Sequence, residues 1–76
     1  MPAKPATPQR LFGEVVRAER LRQKLSQEEL AHRIDLSTAF MSHVERGTKT
    51  VSIESIAKVA KGLGVKGGEL LLNAGI

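Results

Sequence analysis

Apolar residues recur along this chain at spacings of three and four, which place side chains on one face of an α-helix. Nowhere do they show the strict alternation of a half-buried strand. Thr7 followed by Pro8 reads as an N-cap and first helical position. Phe12, Val16 and Arg20 then share a face, predicting a first helix over residues 8–23. Ser26-Gln-Glu-Glu29 has the form of a capping box and opens a short helix with Leu30, Ala31 and Ile34 inward. Asp35-Leu36 interrupts, Ser37 caps a third helix running to Arg46, and Gly47 suits the left-handed stop position. Ser52 caps a fourth helix with Ile53, Ile56, Val59, Ala60 and Leu63 at apolar positions, ended by Gly64. Val65 resumes the core, and Gly67-Gly68 precede a last turn or short helix over Glu69–Leu72. The pattern predicts an all-α domain over residues 8–76 after a flexible Pro- and Ala-rich arm at residues 1–7, whose Lys4 is a candidate phosphate contact.

The stretch Ser26–Gly47 carries the most information. Two short helices, each opened by a serine cap, are joined by a tight connection at Asp35-Leu36. Asp is one of the few residues besides Gly that tolerates the positive φ such a turn needs. Ala31 is small enough to let the helices cross closely, and Leu36 plugs the core beneath the turn. Within the third helix Met41 and Val44 point inward, with Phe40 at the border. Thr38, Ala39, Ser42, His43 and Arg46 form the opposite face, which lacks the Glu/Lys pairs usual on solvated helices. Short side chains let a helix sit deep in a major groove about 12 Å wide. Ser and Thr there meet several base edges, Ala touches a thymine methyl, and His donates to an acceptor on guanine or adenine. The competing reading is an ordinary exposed face of small polar residues.

Composition narrows the choice. A chain of 76 residues makes one small domain, and a domain of that size buries only about 60% of its unfolded surface. It has no cysteine, so disulfides and thiolate metal sites are excluded, and its two histidines do not make a structural zinc site. Self-association is the remaining support for a small core. Twelve Lys and Arg against eight Asp and Glu give a net charge of +4, which favours a polyanionic partner, nucleic acid before an anionic membrane or acidic protein. No apolar run approaches the roughly 20 residues of a membrane span, and Met1–Gln9 lacks the apolar segment of a signal peptide. A cytoplasmic location without a membrane partner is expected. No paired carboxylates, nucleophile–base pair or Gly-rich phosphate loop is apparent. The expectation is therefore no enzyme, no catalytic residue, no metal, no cofactor and no small-molecule effector.

The motifs "LSQEELA" at Leu25–Ala31, "VERG" at Val44–Gly47 and "SIESIAKVAKGLGV" at Ser52–Val65 resemble the Cro/phage-repressor (Xre-type) helix-turn-helix family, over roughly Phe12–Leu72. The resemblance implies a compact five-helix, lambda-repressor-like domain with the helix-turn-helix at helices 2–3. It implies a transcriptional regulator that binds double-stranded DNA, commonly as a homodimer on a two-fold operator. Carried over residue by residue, it places Ser37, Thr38, Ala39, Ser42 and His43 at base edges or adjoining phosphates. Gln27 matches a position that contacts a phosphate and braces the recognition helix. Arg46, Thr48 and Lys49 match backbone-contacting positions. Arg20 and Glu45 match a structural ion pair between helix 1 and the recognition helix. Two residues depart from the family: Lys24 stands where Gly often ends helix 1, so that turn is expected to differ in shape, and Asp35 replaces the usual turn Gly.

The tail Glu69–Ile76 has more apolar surface than one small core needs. Leu70 and Leu71 both suit the core, and Leu70, Leu72 and Ile76 are the candidate dimer residues. The short chain and the "TKTVSIES" loop at Thr48–Ser55 look more like restriction-modification controllers than like phage repressors. The alternative is an antitoxin-type regulator or interaction module that uses the same fold to engage a partner protein.

Overall fold

Helix-capping chemistry sets the element boundaries in the computed structural model, which describes residues 6–76. Five helices follow one another: α1 Pro8–Arg22, α2 Gln27–Arg33, α3 Thr38–Arg46, α4 Ile53–Leu63 and α5 Gly67–Ala74. The described residues contain no strand. Hydroxyls of Thr7, Ser26, Ser37 and Ser52 each accept a backbone N–H from the first turn of α1 to α4, satisfying donors that a helix start otherwise leaves unpaired. At Ser26 the box is complete, because the Glu29 carboxylate accepts the Ser26 backbone N–H at 2.9 Å. That bond holds the Glu29 carboxyl below its ordinary pKa. Lys4 and the other residues of the expected arm at 1–5 lie outside the described residues.

Each helix stops on a left-handed residue: Lys24, Asp35, Gly47, Gly64 and Gly75. Lys24 does not reshape the end of α1. It takes φ 59° as a glycine would, and the turn closes through Leu25 N–H to Arg20 O at 3.0 Å. Asp35 does the same at the turn between α2 and α3, with φ 57° and Leu36 N–H bonded to Ala31 O at 3.0 Å. The hydrogen bonds that close these turns, with Leu25 buried and Leu36 half-buried beside them, outweigh the roughly 1–2 kcal/mol that a side chain costs in this conformation.

One apolar core joins the helices. Phe12 and Val16 of α1, Leu30 and Ala31 of α2 with Ile34 just after it, Met41 and Val44 of α3, Val59, Ala60 and Leu63 of α4 and Leu70 of α5 are all buried in it. Three expectations change here. The last helix starts at Gly67 and runs to Ala74, longer than Glu69–Leu72. Ile53 is 86% exposed rather than part of the core, because it is the first residue of α4 and precedes the turn that packs. Leu70 is only 2% exposed, so it is a core residue and offers no surface to a second chain.

Candidate nucleic-acid interface

The position of α3 is set by polar bonds at its far end. Arg20 and Glu45 are both buried, at 8% and 7% exposure. Arg20 Nε donates to Glu45 Oε2 at 2.6 Å and Arg20 Nη2 to Glu45 Oε1 at 2.9 Å. This is the two-pronged geometry that a guanidinium and a carboxylate favour. The guanidinium is extended by Nη1 donating to Leu25 O at 2.7 Å, and the carboxylate by Gln27 Nε2 donating to Glu45 Oε1 at 3.1 Å. Glu45 raises the Arg20 pKa further above its already high value. The ion pair therefore ties the last turn of α3 to α1, through Arg20 to the α1–α2 turn and through Gln27 to the start of α2. No buried side-chain nitrogen or oxygen among the described residues lacks a partner.

Close backbone approach completes the seat. A Cβ at Gly13 would lie 2.3 Å from Val44 O and 2.6 Å from Glu45 O, so α1 rests directly on the carbonyls at the end of α3. At Gly47, with φ +69°, an added Cβ would lie 2.5 Å from Arg10 Cα. Sequence reading used Gly47 as a helix stop and missed Gly13. The signal was present, since an isolated glycine inside a helical pattern marks close packing.

This seat leaves one side of α3 open. Ser37, Thr38 and Ala39 are exposed at its N-terminal end, while Ser42 and His43 are half-buried and Arg46 is exposed. Ser37 also has a structural task, accepting Phe40 N–H at 3.0 Å. The Arg46 side chain folds back to Ser42 O at 3.3 Å. His43 Nδ1 lies 2.8 Å from Thr48 Oγ1, and Lys49 is exposed in the following loop. The structure thus gathers Ser37, Thr38, Ala39, Ser42, His43, Arg46, Thr48 and Lys49 on α3 and its C-terminal loop, with Gln27 joined to them through Glu45.

The exposed apolar surface lies elsewhere. Two shallow grooves share Ile56 and Leu71; one is also lined by Ile53, Ala57 and Val65, the other by Phe12, Val51 and Ile76. Leu72 is 77% exposed on α5 and lines neither groove. No described helix is long and apolar enough to cross a membrane.

Comparison with known proteins agrees with this architecture. A helix-turn-helix family model matches residues 16–70. The chain is 47% identical over 62 residues to control protein C.BamHI of Bacillus amyloliquefaciens, a match spanning 80% of this chain and 76% of that protein. Among solved structures it is similar to the clp gene regulator ClgR from C. glutamicum, with a TM-score of 0.87, 30% identity and coverage of 95% and 92%. It is also similar to the restriction-modification controller protein C.AhdI from Aeromonas hydrophila, with a TM-score of 0.80, 37% identity and coverage of 82% and 94%. These relatives are regulators, not enzymes. With the family model spanning most of the core and a close relative matched over four-fifths of this chain and three-quarters of its own length, this chain belongs to the Xre-type helix-turn-helix family of DNA-binding transcriptional regulators.

Proposed function

We propose that the chain reads double-stranded DNA sequence-specifically by inserting α3 into the major groove, as a two-fold dimer on a palindromic operator. The observation that carries this reading is the seat of α3. Its inner face is locked by the Arg20–Glu45 pair, while its outer face presents short side chains at Thr38 and Ala39. A rigid helix with a shallow outer face enters a groove without first paying for side-chain ordering. Ser37, Thr38, Ala39, Ser42 and His43 face base edges or the phosphates beside them. Arg46, Lys49 and Gln27 address the backbone, and the second amide proton of Gln27 remains available after its bond to Glu45. The similarity to two controllers of restriction-modification systems supports the same duty here.

Selection of bound sites from random duplexes tests the reading. Two half-sites about one helical turn apart are expected; a single unpaired site, or no enrichment, overturns it. Two variants separate base reading from anchoring. His43→Ala is expected to relax preference at one base pair, by about 1–3 kcal/mol. Arg46→Ala is expected to weaken binding to all duplexes alike and to flatten the salt dependence by about one counterion. Identical behaviour of the two variants on selected and random DNA would sink this division.

For the dimer, the grooves around Ile56 and Leu71 are the proposed surface, with Ile53 and Ile76 exposed along them and Leu72 exposed elsewhere on α5. Ile53→Glu removes an exposed apolar side chain without touching the core. It is expected to give a folded monomer in sedimentation equilibrium where the parent chain gives a dimer. A dimeric Ile53→Glu variant, or a monomeric parent, contradicts this surface.

A further inference from the structure

We infer that Thr48 is a positioning residue that fixes the proton of His43 on Nε2 and aims it outward, so that His43 selects a guanine. The inference rests on the reading of α3 as the base-reading helix and gives Thr48 a different task from the phosphate contact that the family resemblance implies.

The argument is a count of donors and acceptors. Thr48 Oγ1 has two neighbours on His43, ring Nδ1 at 2.8 Å and the backbone carbonyl oxygen at 3.4 Å. That carbonyl already accepts the Thr48 backbone N–H at 3.1 Å and shares with Val44 O the Gly47 N–H that closes α3. The carbonyl thus already faces two N–H donors, and the contact at 3.4 Å offers the hydroxyl proton little. The better acceptor is Nδ1, at the normal length of such a bond. A neutral imidazole that accepts at Nδ1 carries its proton on Nε2. Among the described residues Nε2 has no hydrogen-bond partner, and no buried side-chain nitrogen there is left unpaired, so Nε2–H opens to solvent.

An outward N–H donor is selective in the major groove. Guanine presents two adjacent acceptors, N7 and O6, whereas adenine sets the N6 amino donor beside its N7, thymine has the single acceptor O4 beside its methyl group, and cytosine offers a donor alone. A ring pinned by Thr48 also loses less freedom on binding than a free one. The loop after α3 would thus contribute to base choice without touching a base.

The test compares Thr48→Val, Thr48→Ser and His43→Ala on a duplex recovered by site selection. All four base pairs are placed at the position where His43→Ala loses its preference. Thr48→Val is expected to lose about tenfold of the preference for guanine there, comparable to a base-edge contact. It should keep its affinity for random duplex and its salt dependence, and Thr48→Ser should retain the preference. Nitrogen-15 shifts of His43 in the free protein should report a protonated Nε2 and an unprotonated Nδ1. A uniform loss of affinity by Thr48→Val with a flatter salt dependence would show a phosphate contact and overturn the inference. So would a protonated Nδ1 in the neutral ring, or loss of preference by Thr48→Ser as well. If His43→Ala changes no base preference, the reading of His43 itself fails, which is a separate result.

Discussion

Replacing Glu45 with alanine is expected to remove a large share of the stability of the domain and, with it, DNA binding. The carboxylate takes three hydrogen bonds, two from Arg20 and one from Gln27. Without it the guanidinium stays among buried groups with only Leu25 O to receive a proton. Leaving one charge of a buried pair uncompensated costs about 3–5 kcal/mol. A domain of this length holds roughly 4–11 kcal/mol in all, at about 0.05–0.15 kcal/mol per residue. Urea unfolding checks the size of the loss, and a Glu45→Ala variant that unfolds at the parent midpoint refutes it. The paired change Arg20→Met with Glu45→Leu is expected to recover much of the stability, because two apolar residues leave no stranded charge. Recovery of folding without recovery of operator affinity would show that the pair also sets the angle of α3.

The second large effect is expected at Gly13. Alanine there brings its Cβ to 2.3 Å from Val44 O and 2.6 Å from Glu45 O. Both atoms are backbone, so neither can swing aside, and α1 has to lift off the end of α3. Overpacking of this kind costs about 1–3 kcal/mol, and each kcal/mol lowers the melting temperature of a small domain by roughly 4–8 °C. Gly68→Ala is the control, since an added Cβ there meets nothing within 4 Å. Inside α5 that change is expected to stabilise by about 0.5–1 kcal/mol through helix propensity. The same substitution is thus expected to act in opposite directions at two glycines. Equal melting temperatures for the two variants would show that the seat of α3 is softer than the distances imply.

These two positions differ in how visible they were in the sequence. Arg20 and Glu45 were paired only through the family resemblance, because 25 residues of chain separate them and no local spacing links them. Gly13 was overlooked because a helical period reports which face is buried, not how near the neighbouring backbone comes. The capping serines were fully legible, since a cap bonds to residues two or three positions along and needs no tertiary partner. Lys24 shows the reverse case. Its side chain predicted an altered turn, yet the buried residues on both sides impose the left-handed conformation.

The candidate site divides in the same way. The outer face of α3 followed from helical period, and Thr38, Ala39 and Arg46 are exposed as that period requires. The contact between His43 and Thr48 did not follow, because it depends on the path of the chain after the left-handed turn at Gly47. Surface for a partner was read from the apolar tail, and Leu72 and Ile76 do point outward. Leu70 went into the core and Ile53, on another helix, came to the surface.

Local order along the chain thus determined the number of helices, the starts and stops of the first four, the main buried face of each and the helix-turn-helix itself. All of these depend on interactions within a few residues, which sequence states directly. Tertiary structure decided how closely α1 lies on α3, what Glu45 and Thr48 bond to, and which apolar side chains remain for a second molecule. Those outcomes come from competition among distant groups for one small core and for a few buried hydrogen-bond partners.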